Sequence, residues 1–311
     1  VRSEMEAMVP SFLSRRVMPG YLRVTRANRA YIDTERARAH VRENSIRPQP
    51  YAPPRRLRSD IAIEVSREAG FPVYTLTPRS GRTSGSVVYI HGGGWVNEIK
   101  PQHWALAADI AARAATTVTV PVYPLIPFGT AGQVVPAMAK LVADNVARYG
   151  AACLAGDSAG GQITLSAAVL LRDEQQLKLP RTVLISPALD QSLRNPEIDV
   201  VQPSDPWLGK AGARVFIEYW RGDLPVDDPL VSPLAADLPG LGPLTIFCGT
   251  RDIVHPDTKL LVAKARAAGV EVDYHEGRDL LHVYPLTPTP EGKVARRLIV
   301  ERIREALVHT V

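Results

Sequence analysis

Residues 151–171 read AACLAGDSAGGQITLSAAVLL, and the fold turns on the break in the middle of that stretch. A short apolar run of strand character stops at Gly156-Asp157-Ser158-Ala159-Gly160-Gly161 and resumes with helical spacing. A strand that turns straight into a helix at Gly-x-Ser-x-Gly projects its central side chain from a sharp bend, because glycines permit a turn that other side chains obstruct. The Ser158 hydroxyl would then be exposed, with the partial positive charge of a helix N-terminus behind it. The plainer alternative is that Ser158 or Asp157 merely caps the helix, which both residue types do well.

Outward from this point the chain alternates. Strand-like runs IAIEV, FPVYTL, SVVYIH, TTVTVPVY, AACLAG, TVLIS, LTIFCG and VEVDYH begin after Asp60, rich in β-branched residues and bounded by Gly, Pro or polar turns. Helical patterns at 102–115, 132–149, 158–176, 257–268 and 291–308 separate most of the later runs. Early strands in close succession followed by strand–helix alternation predict an α/β fold, a mostly parallel eight-stranded sheet with an antiparallel start. Before it, residues 3–45 read as one or two amphipathic helices interrupted near Pro19-Gly20, and RPQPYAPPRR (47–56) as an extended link. We therefore expect a helical segment and linker over 1–55 and a catalytic domain over 56–311. Residues 191–241, with the amphipathic PWLGKAGARVFIEYW, form an insertion between two sheet strands.

Composition narrows the classes. Hydrophobic residues make up 45% and charged residues 22%, which excludes a disordered chain, and no apolar run has the length of a spanning helix. The first twenty residues mix charges among apolar positions and lack the apolar core of a secretory signal, so a cytoplasmic location is expected. Cys153 and Cys248 lie in separate apolar runs and read as buried thiols. The net charge of +5 is uneven: residues 1–60 hold thirteen Arg against six acids. That arm lacks the interleaved aromatics or groove-entering motif of a nucleic-acid binder and reads as a solvated helical face.

Ile90-His91-Gly92-Gly93-Gly94-Trp95 ends a strand run well before Ser158. Three consecutive glycines suggest a loop with unusual dihedrals or close backbone approach. Such a loop can aim the amides of Gly92, Gly93 and Gly94 at an oxygen and, with the N–H of Ala159, form an oxyanion hole.

The chain resembles the hormone-sensitive-lipase-like α/β-hydrolases at five ordered landmarks. These are His91–Trp95, Gly156–Gly161, Asp228-Pro229-Leu230-Val231-Ser232-Pro233, Gly249-Thr250-Arg251-Asp252 and His282-Val283-Tyr284-Pro285-Leu286. The resemblance implies a serine carboxylesterase for small to medium acyl esters, with triad members in the order Ser, Asp, His and with His91 supporting the oxyanion loop. It also implies a helical cap made by the N-terminal helices and the insertion, and pairing of two copies through the last strand's edge. Strand logic selects Asp252, just past the carboxyl end of LTIFCG, where open α/β sheets place their sites. Asp257 reads instead as an N-cap, and Asp228 lies before the last two strands. Among seven histidines, His282 follows the last strand; His40 and His309 lie near the termini, and His255 is too local to Asp252 to reach Ser158.

Under the cap, Trp207, Phe216 and Trp220 are candidates for an apolar substrate pocket, as is Trp95 beside the glycine loop. This chemistry requires no metal or organic cofactor, and no His/Cys cluster suggests one. Two departures stand out. Tyr123-Pro124-Leu125-Ile126-Pro127-Phe128 lacks an acid that many relatives carry, and Asp279 puts a carboxylate three residues before His282. A lactone or amide hydrolase with the same triad stays open, as does a non-catalytic binding protein on the scaffold.

Overall fold

A computed structural model describes residues 9–308, apart from 68, 80 and 82. Residues 1–8 of the expected helical segment, and His309, lie outside the described residues. Eight strands form one sheet: β1 (Ile61–Ser66), β2 (Val73–Pro78), β3 (Ser86–Ile90), β4 (Thr117–Pro121), β5 (Ala152–Asp157), β6 (Thr182–Ile185), β7 (Leu244–Gly249) and β8 (Val272–Gly277). Their spatial order is β1-β2-β4-β3-β5-β6-β7-β8, with β2 antiparallel to both neighbours and β3 through β8 parallel.

The period of two divides the core. In β3, Val87 and Tyr89 enter one apolar cluster while Val88 and Ile90 enter the other, and β5 repeats this with Cys153 against Leu154. Nine α-helices are described. They are α1 (Met18–Val24), α2 (Thr34–Ile46), α3 (Pro101–Ala114), α4 (Ala131–Tyr149), α5 (Ala159–Gln175), α6 (Glu197–Val201), α7 (Lys210–Arg221), α8 (His255–Ala267) and α9 (Pro290–Val308). Trp104 of α3 and Ile299 of α9 fill the cluster on the Val87 face, while Met138 of α4, Ile163 of α5 and Leu261 of α8 fill the Val88 face. Each parallel strand therefore ends in a loop at one rim of a sheet covered on both sides.

Two local expectations are corrected. Pro19 does not interrupt the N-terminal helix: it occupies the first turn of α1, where a missing N–H costs no hydrogen bond, and the break falls at 25–33 instead. Asp257 is not an N-cap either. Helix α8 begins at His255 with Pro256 in its first turn, leaving Asp257 buried and accepting from Asn195 Nδ2 at 2.7 Å. Helices α2 and α7 pack together, with the Gly212 amide donating to the Tyr31 carbonyl at 3.1 Å.

Candidate active site

The turn between β5 and α5 is built by close approach. A Cβ on Gly160 would stand 2.2 Å from the Ile90 carbonyl oxygen, so only glycine lets the first turn of α5 lie against the end of β3. A Cβ on Gly92 would likewise stand 2.3 Å from Asp157 Oδ2. The glycine loop and the serine turn are thus pressed together, and Ser158 is held at φ 53° and ψ −118°. Such backbone costs roughly 1–3 kcal/mol and persists only where its surroundings impose it. Here the Ser158 N–H donates to the Ile185 carbonyl at 2.8 Å, while its own carbonyl accepts from Gln162 N and Ala188 N. Its hydroxyl makes no capping hydrogen bond.

Instead Ser158 Oγ lies 2.9 Å from His282 Nε2, and His282 Nδ1 lies 2.8 Å from Asp252 Oδ2. A carboxylate only accepts, so Nδ1 carries the proton and the Nε2 lone pair faces the hydroxyl. Asp252 and His282 are buried, the one after β7 and the other after β8. Burial pulls the His282 pKa down, but Asp252, Asp205 and Asp157 together raise it above its ordinary value. Asp279 is not among those charges; its backbone N–H donates to Thr250 Oγ1 at 2.9 Å.

Asp205 is a carboxylate that sequence reasoning missed. It accepts from the Trp207 and Leu208 amides at 2.8 and 3.0 Å through one oxygen, and from the Ile253 amide at 3.1 Å through the other. It therefore ties the inserted segment to the turn that carries Asp252. Burial, then the charge of Asp252, pushes its pKa up to about 6. Its local turn with Trp207 and Leu208 does not announce the contact to Ile253, which lies far along the chain.

The glycine loop has its own supports. His91 is buried, stacks on Tyr123 with ring centroids 4.6 Å apart and donates from Nδ1 to the Gly92 carbonyl at 2.7 Å. Burial, then His103, pushes its pKa down to about 4, so the ring stays neutral. Tyr123 Oη donates to the His91 carbonyl at 2.9 Å and the Ile126 amide to the Trp95 carbonyl at 2.9 Å, so the loop without the acid still braces its neighbour. From α2, His40 meets Asn97 Oδ1 at 2.8 Å, and Asn97 Nδ2 donates to the Gly93 carbonyl at 2.9 Å.

A cavity of about 390 Å³ opens at this rim. Ser158, His282, Gly93, Gly94, Trp207 and Leu208 line it, with Tyr31 and Arg26 among the residues from the N-terminal side. Ala159 opens α5, so its N–H has no intrahelical acceptor. Gly92 is not part of this lining; it is pressed against Asp157.

Of the four aromatic pocket candidates, Trp207 lines the cavity and meets the His282 ring edge-on at 5.6 Å. The other three are corrected. Trp95 and Trp220 stack at 5.5 Å in the core, and both indole N–H groups donate to Gln162 Oε1, at 3.1 and 2.9 Å. Phe216 is buried edge-to-face against Tyr31. An aromatic surface of this size gains more from close packing in the core, with any indole N–H bonded, than from facing an open cavity.

No group of three or more His, Cys, Asp or Glu side chains is placed to hold a metal ion among the described residues. No helix among them is long and apolar enough to cross a membrane.

Residues 87–286 match the family described as alpha/beta hydrolase fold. A triacylglycerol lipase of Mycobacterium tuberculosis is 35% identical over 193 residues; the match covers 61% of this chain and 39% of the lipase. An acetyl-hydrolase of Streptomyces hygroscopicus is 29% identical over 259 residues, covering 78% of this chain and 86% of its own. Among solved structures, an esterase from the bacterial hormone-sensitive lipase family superposes with a TM-score of 0.73 at 28% identity, covering 88% of this chain and 97% of its own.

Proposed function

The chain belongs to the alpha/beta hydrolase fold family, in its hormone-sensitive-lipase-like branch, and we propose that it hydrolyses carboxylic esters of small to medium acyl chains through Ser158, His282 and Asp252. The observation that carries this reading is the continuous path from Asp252 through His282 to the Ser158 hydroxyl, ending in a cavity. His282 Nε2 takes the hydroxyl proton as Oγ attacks the ester carbonyl, and Asp252 holds the ring in the required tautomer and stabilises its charged form. The amides of the glycine loop and Ala159 stabilise the oxyanion, with Gly93 and Gly94 nearest the cavity. The imidazolium then protonates the leaving alcohol, and water, activated by the same ring, releases the acid from the acyl-enzyme.

The cavity volume supports short acyl groups, and the esterase, acetyl-hydrolase and lipase relatives support the reaction class. In this reading the residues before 56 and those of 191–241 act as the cap, closing the cavity with Tyr31 from one side and Trp207 from the other. The test is labelling with a serine-reactive phosphonate and turnover of a nitrophenyl ester chain-length series beside lactones and amides. Wild-type protein should label at Ser158 and Ser158→Ala should not; folded wild-type protein that fails to label would sink the reading.

A further inference from the structure

The arginine excess of the first sixty residues has no part in the chemistry at Ser158. From residue 9 to residue 32 the chain carries Arg15, Arg16, Arg23, Arg26 and Arg29 and no acidic residue. The same segment exposes Val9, Phe12, Val17, Tyr21, Val24 and Ile32, with Phe12 75% and Val24 84% accessible. Val17, Tyr21 and Val24 follow a spacing of four and three, which sets them on one face of the helical turns.

The segment is fixed to the body of the protein from its other side. Ser14, Pro19 and Leu22 are buried. The buried Glu291 carboxylate, in the first turn of α9, accepts from the Ser11 amide and from Ser14 Oγ, the latter at 2.6 Å. The chain then continues without interruption into the cavity wall, where Arg26, Ala27, Arg29, Ala30 and Tyr31 are among the lining residues.

We propose that residues 9–32 are a docking face for an anionic lipid surface, which brings the mouth of the Ser158 cavity against that surface. Both halves of the face are used in such a complex: arginines attract the negative headgroups, and the apolar side chains enter the boundary between headgroups and acyl chains. Phosphates of a nucleic acid would engage the arginines alone and leave six large apolar side chains in water. The consequence for substrate is that acyl esters held in an anionic interface reach the cavity at a higher local concentration than the same esters free in solution.

The test is co-sedimentation of the full chain, carrying Ser158→Ala so that hydrolysis plays no part, with vesicles of phosphatidylcholine alone or of equal parts phosphatidylcholine and phosphatidylglycerol. The protein should pellet with the mixed vesicles, stay in solution with the neutral ones, and be released by high salt. Each arginine near the surface contributes about five-fold to partitioning, so Arg15→Gln, Arg16→Gln and Arg23→Gln together should lower it about a hundred-fold. Phe12→Ser with Val24→Ser should lower it at every salt concentration. In the Ser158 background, both variants should keep wild-type turnover of a soluble short-chain ester and the wild-type thermal midpoint. Equal binding to both vesicles, or unchanged binding by both variants, would overturn the proposal. So would conversion of a dimer to a monomer by Phe12→Ser and Val24→Ser, which would make the face a contact between copies of this chain. Binding of duplex DNA in place of vesicles, lost with the arginines and not with the serines, would assign the face to nucleic acid. Because binding is read without turnover, the outcome is independent of the esterase reading.

Discussion

Two buried carboxylate–histidine pairs flank Ser158, and they differ in what the second ring nitrogen faces. In the pair Asp252–His282 the contact is 2.8 Å, and the free Nε2 meets the serine hydroxyl at the edge of the cavity. In the pair Asp157–His103 the contact is 3.3 Å, and Nδ1 accepts the backbone N–H of Lys100 at 2.9 Å, at the start of α3. A backbone amide only donates, so Nδ1 of His103 is already an acceptor and Nε2 must carry the proton toward Asp157. One imidazole keeps a lone pair free for a substrate-facing proton; the other has both nitrogens committed to holding the fold. An Asp–His pair therefore becomes a base only when the fold leaves the far nitrogen unoccupied and aimed at a nucleophile.

The largest effect that tests this difference comes from deleting each ring. His282→Ala should lower kcat by about 10⁴ to 10⁶-fold, beside a loss of stability because it strands the buried Asp252 carboxylate. His103→Ala should cost stability and leave turnover nearly intact. It leaves the Asp157 carboxylate buried with Tyr89 Oη, at 2.6 Å, in place of two donors, and breaking such a pair costs about 3–5 kcal/mol. Its folded fraction should retain turnover well short of the ~10²-fold loss expected of a proton-transfer group. Steady-state kinetics beside thermal unfolding of both variants decides it, and a catalytic loss at His103 equal to that at His282 would break the comparison.

Next in size are the carboxylates. Asp252→Asn presents an amide that favours the other tautomer of His282, removing the Nε2 lone pair, and kcat should fall about 10⁴-fold. Asp157→Asn leaves a single acceptor oxygen between two donors, the His103 N–H and Tyr89 Oη, and the ring cannot switch tautomer because Lys100 requires Nδ1 as acceptor; about 1–3 kcal/mol of stability should be lost. The pH dependence follows from sign. Burial opposes the charge on Asp157, but His103, Tyr89 and His91 hold its carboxyl below the ordinary 3.8. The stability it contributes is present above that value and is lost as pH falls through its lower folded value. Acid unfolding followed by circular dichroism should show a shallower fall between pH 4 and lower pH in Asp157→Asn than in wild type.

Much of this arrangement was legible in the chain and some was not, for physical reasons. The strands could be read because β-branched runs alternate with helical spacing, and the serine turn because a Cβ on Gly160 or Gly156 would stand only 2.2 or 2.5 Å from a backbone carbonyl oxygen, so glycine is required there. Ser158, Asp252 and His282 each follow a strand end, so their meeting is a consequence of parallel strands. By contrast, Asp205 reaches Ile253 and His103 reaches Asp157 far along the chain, contacts that their own local turns with Trp207, Leu208 and Lys100 do not announce. The aromatic residues misled for a related reason. Trp95 and Trp220 share the Gln162 carbonyl oxygen, and an amphipathic spacing carries no information about which aromatic finds a hydrogen-bond partner inside.

The smallest effect probes whether His282 is tuned from the inserted segment as well as by its own carboxylate. Asp205 raises the His282 pKa, and removing a neighbouring negative charge lowers it. The base works only when neutral, so the acid limb of kcat/KM should lie above histidine's ordinary value of 6.5 in wild type and move to lower pH in Asp205→Asn. The amide oxygen of asparagine can still accept from Trp207 and Leu208, but an amide N–H would then face the Ile253 N–H, releasing the inserted segment from the acid turn. Because Trp207 and Leu208 line the cavity, KM should rise while kcat at the pH plateau changes only a few-fold. A residue that merely stabilised the loop would raise KM and leave the limb where it was. The displacement of the limb is therefore the reading that separates tuning of His282 from support of the cavity wall.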